Sequence, residues 1–462
     1  GREGLGEALF VAVHADRRVR RDAVDIGVRA EFLDEFDRQG HAVVVRGDLD
    51  ILGAHPHHDL VADADQGGPL DGQSVVADLD VAHKVMLGTD SDVEWFFTDG
   101  EPAPWEPDED ATATINYTSG TTARPKGVEQ THRSLWLNAS TFGWHAGVNE
   151  RDVYLHTLPM FHCNGWGMVY ASLGMGVKQV VLRKVDGAEI LRRIDRHGVT
   201  FACAAPAVVA AALEAAPEFD PVPGRDRMRV IVAGAPPPTQ TIERVEAELG
   251  WEFIQIYGLT ETAPLMTMNR CRSEWDDLAP SERASNLAAA GSPTIGMRVS
   301  VDAYGEVLAR GNHVLEGYWA QPEATAAAIV DGWFHTGDGG TVEGGVVTIS
   351  DRKKDVIISG GENVSSIEVE DAVFSHPEVA EVAVIGVPSD KWGETVMALV
   401  VRTDGSTLTE EALIAHTRQR LAGYKCPKTI EFREELVRTA TGKLQKFKLR
   451  APYWEGLDRQ VN

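Results

Sequence analysis

Tyr117-Thr-Ser-Gly-Thr-Thr-Ala-Arg-Pro-Lys-Gly127 packs hydroxyls, glycines and two cations into one short stretch. Gly120 allows close backbone approach, and Thr118, Ser119, Thr121 and Thr122 supply donors, so the first inference is a loop that wraps phosphate. The plain alternative is a polar surface turn, because Gly, Ser, Thr and Pro punctuate loops in any protein. The spacing argues against a Walker loop, since Lys126 follows Pro125 and precedes Gly127 instead of standing between Gly and Ser or Thr.

Nearly letter for letter, the stretch resembles the phosphate loop of the adenylate-forming enzymes, the superfamily of acyl-CoA synthetases, luciferases and nonribosomal-peptide adenylation domains. It departs from that family at Ala123, where glycine is usual and where a positive φ would be strained by the Cβ. From Ala111 to Arg450 the resemblance is nearly continuous. It implies ATP and coenzyme A as substrates, Mg²⁺ as cofactor and a carboxylic acid as the group activated.

The chain has 462 residues, enough for two or more domains, and its 43% hydrophobic and 25% charged residues are those of a globular protein. No apolar run reaches the roughly 18 residues of a membrane span, and the first residues show no signal segment, so the expected location is the cytoplasm. Cys163, Cys203, Cys271 and Cys426 form no paired metal motif or short disulfide framework and are expected as reduced thiols. A net charge of -26 excludes a broad basic nucleic-acid surface, so a bound nucleotide needs a local positive pocket. Oligomeric state is not legible, a homodimer being one option.

Residues 1 to 80 lack Lys, Thr, Asn, Met, Cys, Tyr and Trp. Val43-Val-Val reads as a strand and Ala30 to Phe36 as a helix, without a functional motif or a family resemblance. An altered reading frame in GC-rich DNA and an ordinary biased segment both fit this composition. Further on, short apolar strands alternate with amphipathic helices. Strands are expected at Gln179–Leu182, Thr200–Ala204, Arg229–Val232 and Glu252–Ile256, with helices at Ala188–Arg196, Ala207–Ala215 and Thr239–Leu249. These are parallel βαβ units with ligands at the strand ends. After Asp351 the pattern becomes α+β, with a strand at Val356-Ile-Ile, a helix over Ser366–Phe374, a strand over Ala380–Val387 and a helix over Thr409–Leu421. The expected fold class is α/β: a large multi-layer domain with mostly parallel sheets over residues 1–350, then a small mobile α+β domain over 351–462. Asp351-Arg-Lys-Lys-Asp355 is a charged junction between the two parts; composition alone allows a plain solvated turn, and the resemblance makes it a hinge.

Several segments carry chemistry. Ile256-Tyr-Gly-Leu-Thr-Glu-Thr262 turns polar at a strand end, placing Tyr257, Thr260 and Glu261 where a ligand can sit, although packing of Tyr257 and capping by Glu261 would explain the residues equally. The resemblance implies that this segment, with Gln255 and Gly258, lines adenine and the α-phosphate, and that Glu261 and Thr121 hold Mg²⁺, a hard cation suited to oxygen ligands. It assigns Gly234, Ala235 and Pro236 of Val232-Ala-Gly-Ala-Pro-Pro-Pro238 to the adenine pocket, where a plain loop is the alternative. In Trp333-Phe-His-Thr-Gly-Asp338 a carboxylate after Gly is usually a turn residue; the resemblance puts ribose on Asp338, with Arg352 contributing.

Arg438-Thr-Ala-Thr-Gly-Lys-Leu-Gln-Lys446 matches the family's adenylation motif, which makes Lys443 the adenylation lysine, while Lys446 and Lys448 read as a basic tail. Leu158-Pro-Met-Phe-His-Cys-Asn-Gly165 is similar to the segment bordering the acyl pocket, with His162 as a gate or carboxylate neighbour, although isolated histidines are more often structural. That segment, Gly311-Asn-His-Val-Leu-Glu-Gly-Tyr-Trp319 and Gly360-Gly-Glu-Asn363 resemble the short- to medium-chain fatty-acyl-CoA synthetase branch. The same resemblance places Gly360 and Gly361 beside pantetheine and Lys425 at the CoA phosphates.

The activity implied is formation of an acyl-adenylate from a fatty acid and ATP, then thioester formation with CoA. The alternatives are a degenerate, non-catalytic nucleotide-binding homologue and acyl transfer to a carrier-protein thiol.

Overall fold

The computed structural model describes residues 108–118, 126–160, 162–182, 184–389, 391–438 and 444–455, with four short strands at Val11–Val13, Ala23–Asp25, Ala42–Arg46 and Lys84–Leu87. Val43 to Val45 lie in a strand, as expected, while Ala30 to Phe36 fall outside the described residues.

A seven-stranded sheet organises the larger part of the chain. Its order is Ser292–Pro293, Leu265–Arg270, Glu252–Gly258, Arg229–Val232, Phe201–Ala204, Val153–His156 and Lys178–Val181. The five strands from Glu252–Gly258 to Lys178–Val181 run parallel, and Leu265–Arg270 adds an antiparallel neighbour. Parallel strands need crossovers that cover both faces, so the strands read as continuous apolar runs such as Phe201-Ala-Cys-Ala204, buried throughout.

The helix Gly187–His197 shows how these crossovers form. Asp186 accepts the Glu189 amide at 2.8 Å as N-cap, Ile190, Leu191 and Ile194 face the sheet, and Gly198 ends the helix at φ 64°. Each buried Leu or Ile contributes about 1.5–3 kcal/mol. Helix Pro206–Ala215 covers the same face, where Leu191, Ile194, Leu213, Val230 and Phe253 share one core. The long helix His132–Ala146 and helix Met168–Gly174 cover the other, with Phe142, Met168, Phe201, Ile254 and Leu265 in a second core.

Two further sheets flank this one. Thr112–Tyr117 pairs with Gly127–Thr131, which pairs with Gly317–Tyr318. Arg298–Val301, Glu306–Arg310, Trp333–Glu343 and Val346–Arg352 form an antiparallel ladder that ends at the junction. Beyond it Glu362–Val364, Ile357–Ser359, Gly393–Arg402 and Val379–Ser389 lie side by side, with Thr429–Arg433 parallel to Gly393–Arg402. Helix Ser366–Phe374 packs on that sheet.

The helix expected over Thr239–Leu249 is α-helical only to Arg244; Val245–Leu249 widens into a π turn closed by Gly250 at φ 66°. The helix expected over Thr409–Leu421 spans Glu410–Thr417. Its last turn tightens through bonds from Gln419 to His416 and Arg420 to Thr417.

Asp152 ties three strands together at their N-terminal ends. Its carboxylate accepts Thr200 Oγ1 at 2.6 Å and the Asn149 amide at 2.9 Å, and pairs with Arg229. Burial alone would raise this carboxyl, but the bonds from Thr200, Asn149 and Arg229 prevail and hold it below its ordinary 3.8. Its stabilisation is therefore present above pH 3.8 and lost as pH falls through the lower folded value. Asp152→Ala strands Arg229 and is expected to cost about 3–5 kcal/mol at neutral pH, measured by urea unfolding; the deficit should shrink towards pH 2.

Candidate active site

The ends of the sheet strands bring several motif residues together. Tyr257, near the end of Glu252–Gly258, donates its hydroxyl to Asp338 Oδ2 at 2.8 Å. Asp338 is only 8% exposed and lies directly across the ladder from Arg352, whose Nε is 3.8 Å from Asp338 Oδ1. Burial, then the neighbouring Asp338 charge, pushes the Tyr257 phenol well up, so it remains a donor at neutral pH. Asp338 keeps lone pairs for further donors.

After Tyr257 the backbone of Gly258 passes against Pro264, where a Cβ would lie 1.6 Å from the Pro264 carbonyl oxygen, so only glycine fits. The turn Thr260–Thr262 follows. Its Thr260 carbonyl accepts Gln130 Nε2 at 2.8 Å, and its Glu261 carbonyl accepts the Leu315 amide at 2.7 Å. The Glu261 side chain accepts the Tyr318 hydroxyl at 3.0 Å, and Lys126 Nζ stands 4.5 Å from the centroid of the Tyr318 ring. Burial raises the Glu261 carboxyl, opposed by the Tyr318 bond and the Lys126 charge. A cation beside Glu261 would offset that desolvation.

Lys126 and Thr118 bracket the stretch that opened the sequence reading: the Thr118 amide donates to the Lys126 carbonyl at 2.9 Å, extending the ladder of Thr112–Tyr117 with Gly127–Thr131. Ser119, Gly120, Thr121, Thr122 and Ala123 lie outside the described residues, as does Lys443. Tyr318 and Gln130 join the site although sequence reasoning assigned them no role there. Tyr318 sat inside Gly311 to Trp319, which had been read only for its resemblance.

Gly234 lies one residue beyond Ala233, after the strand Arg229–Val232, and adopts φ 93°, a conformation that glycine tolerates. Ala235 and Pro236 follow it. Val232 is the register partner of Gln255, so this loop and Gln255 occupy adjacent strand ends. Gln255 is 6% exposed, and its Oε1 is buried without a hydrogen-bond partner, an acceptor suited to a donor on a bound ligand.

His162 precedes a left-handed turn in which Cys163, Asn164, Gly165, Trp166 and Gly167 have φ of 50, 52, 59, 62 and 77°. Each non-glycine residue there costs about 1–2 kcal/mol. Asn138 holds the turn, donating to the Trp166 carbonyl at 3.3 Å and accepting the Leu265 amide at 3.1 Å. Burial pushes the Cys163 thiol up to about 12 despite its hydrogen bond with Thr260, so it is no thiolate nucleophile.

The residues expected at CoA lie on two different segments of the C-terminal part. Gly360 and Gly361, at φ 63° and 87°, turn the hairpin of Ile357–Ser359 with Glu362–Val364, and Trp392 packs on Gly360. Lys425 is committed to Glu368 at 2.6 Å.

The structure differs from the plain alternative at the junction and from the basic-tail reading of Lys446. The junction is no solvated turn: Asp351 is 2% exposed, and its carboxylate accepts the Ser366 amide at 2.6 Å and the Arg352 amide at 2.9 Å. Lys353 reaches Glu306 at 3.1 Å, and Asp355 pairs with Arg450 at 3.1 Å. Burial, reinforced by Arg352, lowers Lys354 to about 8. Lys446 is no basic tail either; it pairs with Glu370 at 2.7 Å, bonds Ser366 Oγ and leaves only 12% of its side chain exposed. Opposite charge at Glu370 and Asp351 supplies the reason, whereas Lys448 stays exposed.

The family described as AMP-binding enzyme matches residues 28–319, and the AMP-binding enzyme C-terminal domain matches 368–443. The chain belongs to the AMP-binding enzymes, the adenylate-forming superfamily, with an α/β fold. The match begins inside residues 1 to 80, where the sequence reading found no resemblance.

The 2-methylpropanoate--CoA ligase CCL4 of Humulus lupulus is 42% identical over 382 residues, 78% of this chain and 66% of that protein. The peroxisomal trans-cinnamate:CoA ligase of Petunia hybrida is 38% identical over 369 residues, 75% of this chain and 62% of that protein. This chain thus spans slightly under two thirds of either relative. The Bacillus subtilis o-succinylbenzoate CoA synthetase (MenE), in complex with its acyl-adenylate intermediate, superposes with a TM-score of 0.71 at 27% identity, covering 94% of this chain and 88% of that one. No helix among the described residues is long and apolar enough to cross a membrane.

The buried lysine generates a test. Burial alone would lower the Lys446 ammonium, but Glu370 and Asp351 prevail and raise it above 10.5. Its stabilisation is thus present below pH 10.5 and lost as pH rises through the higher folded value. Lys446→Met is expected to cost about 3–5 kcal/mol by denaturant unfolding at pH 7. Lys446→Met with Glu370→Gln should cost less than the sum of the single changes, and the Lys446→Met deficit should narrow only above pH 10.5.

Proposed function

We propose that the chain activates a carboxylic acid with ATP, forming an acyl-adenylate and pyrophosphate, and then transfers the acyl group to the thiol of coenzyme A with release of AMP. The acid is a short- to medium-chain fatty acid, and the site of action is the cytoplasm. The observation that carries this reading is the buried Asp338 carboxylate, held by Tyr257 and faced by Arg352, at the same strand end as Glu261. Support for a small acid comes from the 42% identity to a ligase named for 2-methylpropanoate.

An ionised carboxylate needs no general base to attack the α-phosphorus, since its pKa of about 4 leaves it charged at neutral pH. The obstacle is repulsion between anions. Thr118, Ser119, Gly120, Thr121, Thr122 and Lys126 cradle the phosphates, and Lys443 adds a positive charge as pyrophosphate departs. Asp338 accepts the ribose hydroxyls beside Arg352. Gly234, Ala235 and Pro236 border adenine with Gly258 and Thr260, and the unpartnered Oε1 of Gln255 accepts a donor there. Glu261 and Thr121 would hold Mg²⁺, which supplies neutralisation of phosphate charge when bound. The desolvated Glu261 carboxylate fits such a cation. His162 stands at the acyl side.

Thiol attack needs a second opening, because CoA sulfur cannot enter where pyrophosphate leaves. The part from 351 to 462 rotates at Asp351 against the part before it, exchanging Lys443 for the hairpin of Gly360 and Gly361, which borders pantetheine. Lys425 exchanges Glu368 for a CoA phosphate.

Pyrophosphate release across a panel of carboxylic acids, with and without CoA, tests this reading. Acid-dependent release with small fatty acids and thioester formation with CoA are expected, and Lys443→Ala should slow adenylate formation by about 100-fold while sparing thioester formation from supplied acyl-adenylate. AMP binding without release for any acid would leave a non-catalytic nucleotide-binding protein. Turnover only with a phosphopantetheinylated carrier would replace CoA as the acceptor.

A further inference from the structure

We infer that Asp371 is a positioning residue that fastens the C-terminal part of the chain to the end of the loop expected at adenine, in one of the two orientations the reaction requires. Asp371 lies on helix Ser366–Phe374. Its Oδ1 accepts the Thr239 amide at 2.8 Å and its Oδ2 accepts the Thr239 hydroxyl at 3.1 Å.

Thr239 opens helix Thr239–Arg244, and the preceding Pro238 supplies no side-chain cap. The amides of a helix's first turn need an acceptor from elsewhere. Here it comes from a carboxylate 132 residues away, and the charge suits the positive end of the helix. The loop Ala233 to Pro238 is thereby pinned at both ends: the Ala233 amide donates to Ala204 O at 3.3 Å, and Thr239 is held by Asp371. Pro236, Pro237 and Pro238 carry no amide hydrogens with which the loop could hold itself.

The same helix is also fixed at its start. The Ser366 amide donates to the Asp351 carboxylate, and Ser365 Oγ donates to the Ser350 carbonyl. Ser366 and Asp371 are about 7.5 Å apart along the helix. A rotation at Asp351 therefore carries Asp371 off Thr239 while leaving its own helix intact. Two directed hydrogen bonds from one carboxylate do not survive a displacement of about 1 Å. The contact belongs to a single orientation, so only the half-reaction run in that orientation feels it.

This inference rests on the two-step reaction proposed above, and the test separates the two. Adenylate formation is followed as ATP–pyrophosphate exchange, and thioester formation as CoA consumption with chemically prepared acyl-adenylate, for the full chain. Activity of the unaltered protein in both assays establishes the reaction; its absence from both overturns the reaction and the inference with it. Asp371→Ala is then expected to lower one half-reaction by about tenfold or more and leave the other within about twofold. Thr239→Val, which removes only the hydroxyl bond, should lower the same half-reaction by less, and the double variant should match Asp371→Ala. Equal loss in both half-reactions, or loss in neither, overturns the inference. Should Asp371→Ala fail to fold, the same split read on Thr239→Val decides it.

Discussion

A carboxylate taken out of water must find a donor and a counter-charge, and Asp338 finds them from two directions. Tyr257 reaches it from the parallel sheet, and Arg352 faces it from the neighbouring strand of its own ladder. A desolvated charge is tolerated only when it is paired and hydrogen-bonded. The three side chains thus fix the separation of two sheets and the start of the junction together. Glu261 sits four residues beyond Tyr257, and its own donor, Tyr318, comes from the third sheet. The polar centre is where the layers of the larger part meet.

The charge distribution follows the same logic. A chain with a net charge of -26 repels a nucleotide at long range, so binding depends on local cations and on amides. Lys126 and Arg352 stand beside Glu261 and Asp338, where reduced hydration strengthens every interaction. On the far side of the junction, helix Lys446–Arg450 is tied by Lys446 to Glu370 of helix Ser366–Phe374 and by Arg450 to Asp355 beside Asp351. Asp371, on helix Ser366–Phe374 of this same part, accepts both the amide and the hydroxyl of Thr239.

Local pattern made much of this legible. Helix Ser366–Phe374 is found with the expected bounds because its cap, Ser365, and its apolar positions Val369 and Val373 are all written within it. Strand Arg229–Val232 is likewise a short apolar run with a sharp end. The strand-end placement of Tyr257 and Glu261 was readable for the same reason. Lys446 was misread because its partner Glu370 lies 76 residues earlier, beyond any periodicity. At Asp351 composition left the solvated turn open, because a charged run looks the same whether solvated or paired. Tyr318 carries no local signal for its bond to Glu261, and the left-handed turn from Cys163 to Gly167 runs against the preferences of Cys and Trp. The identity of the acid depends on packing among several segments, which no motif states.

Equilibrium binding of AMP to the unaltered protein and to Asp338→Ala, by calorimetry at fixed salt and with thermal stability as a control, tests the central claim most directly. The account predicts that the unaltered protein binds AMP and that the substitution weakens binding by about tenfold or more, from loss of hydrogen bonds to a charged acceptor. Unchanged affinity in a folded Asp338→Ala protein would contradict it, because the nucleotide would then lie somewhere other than the strand ends that Tyr257 and Asp338 join.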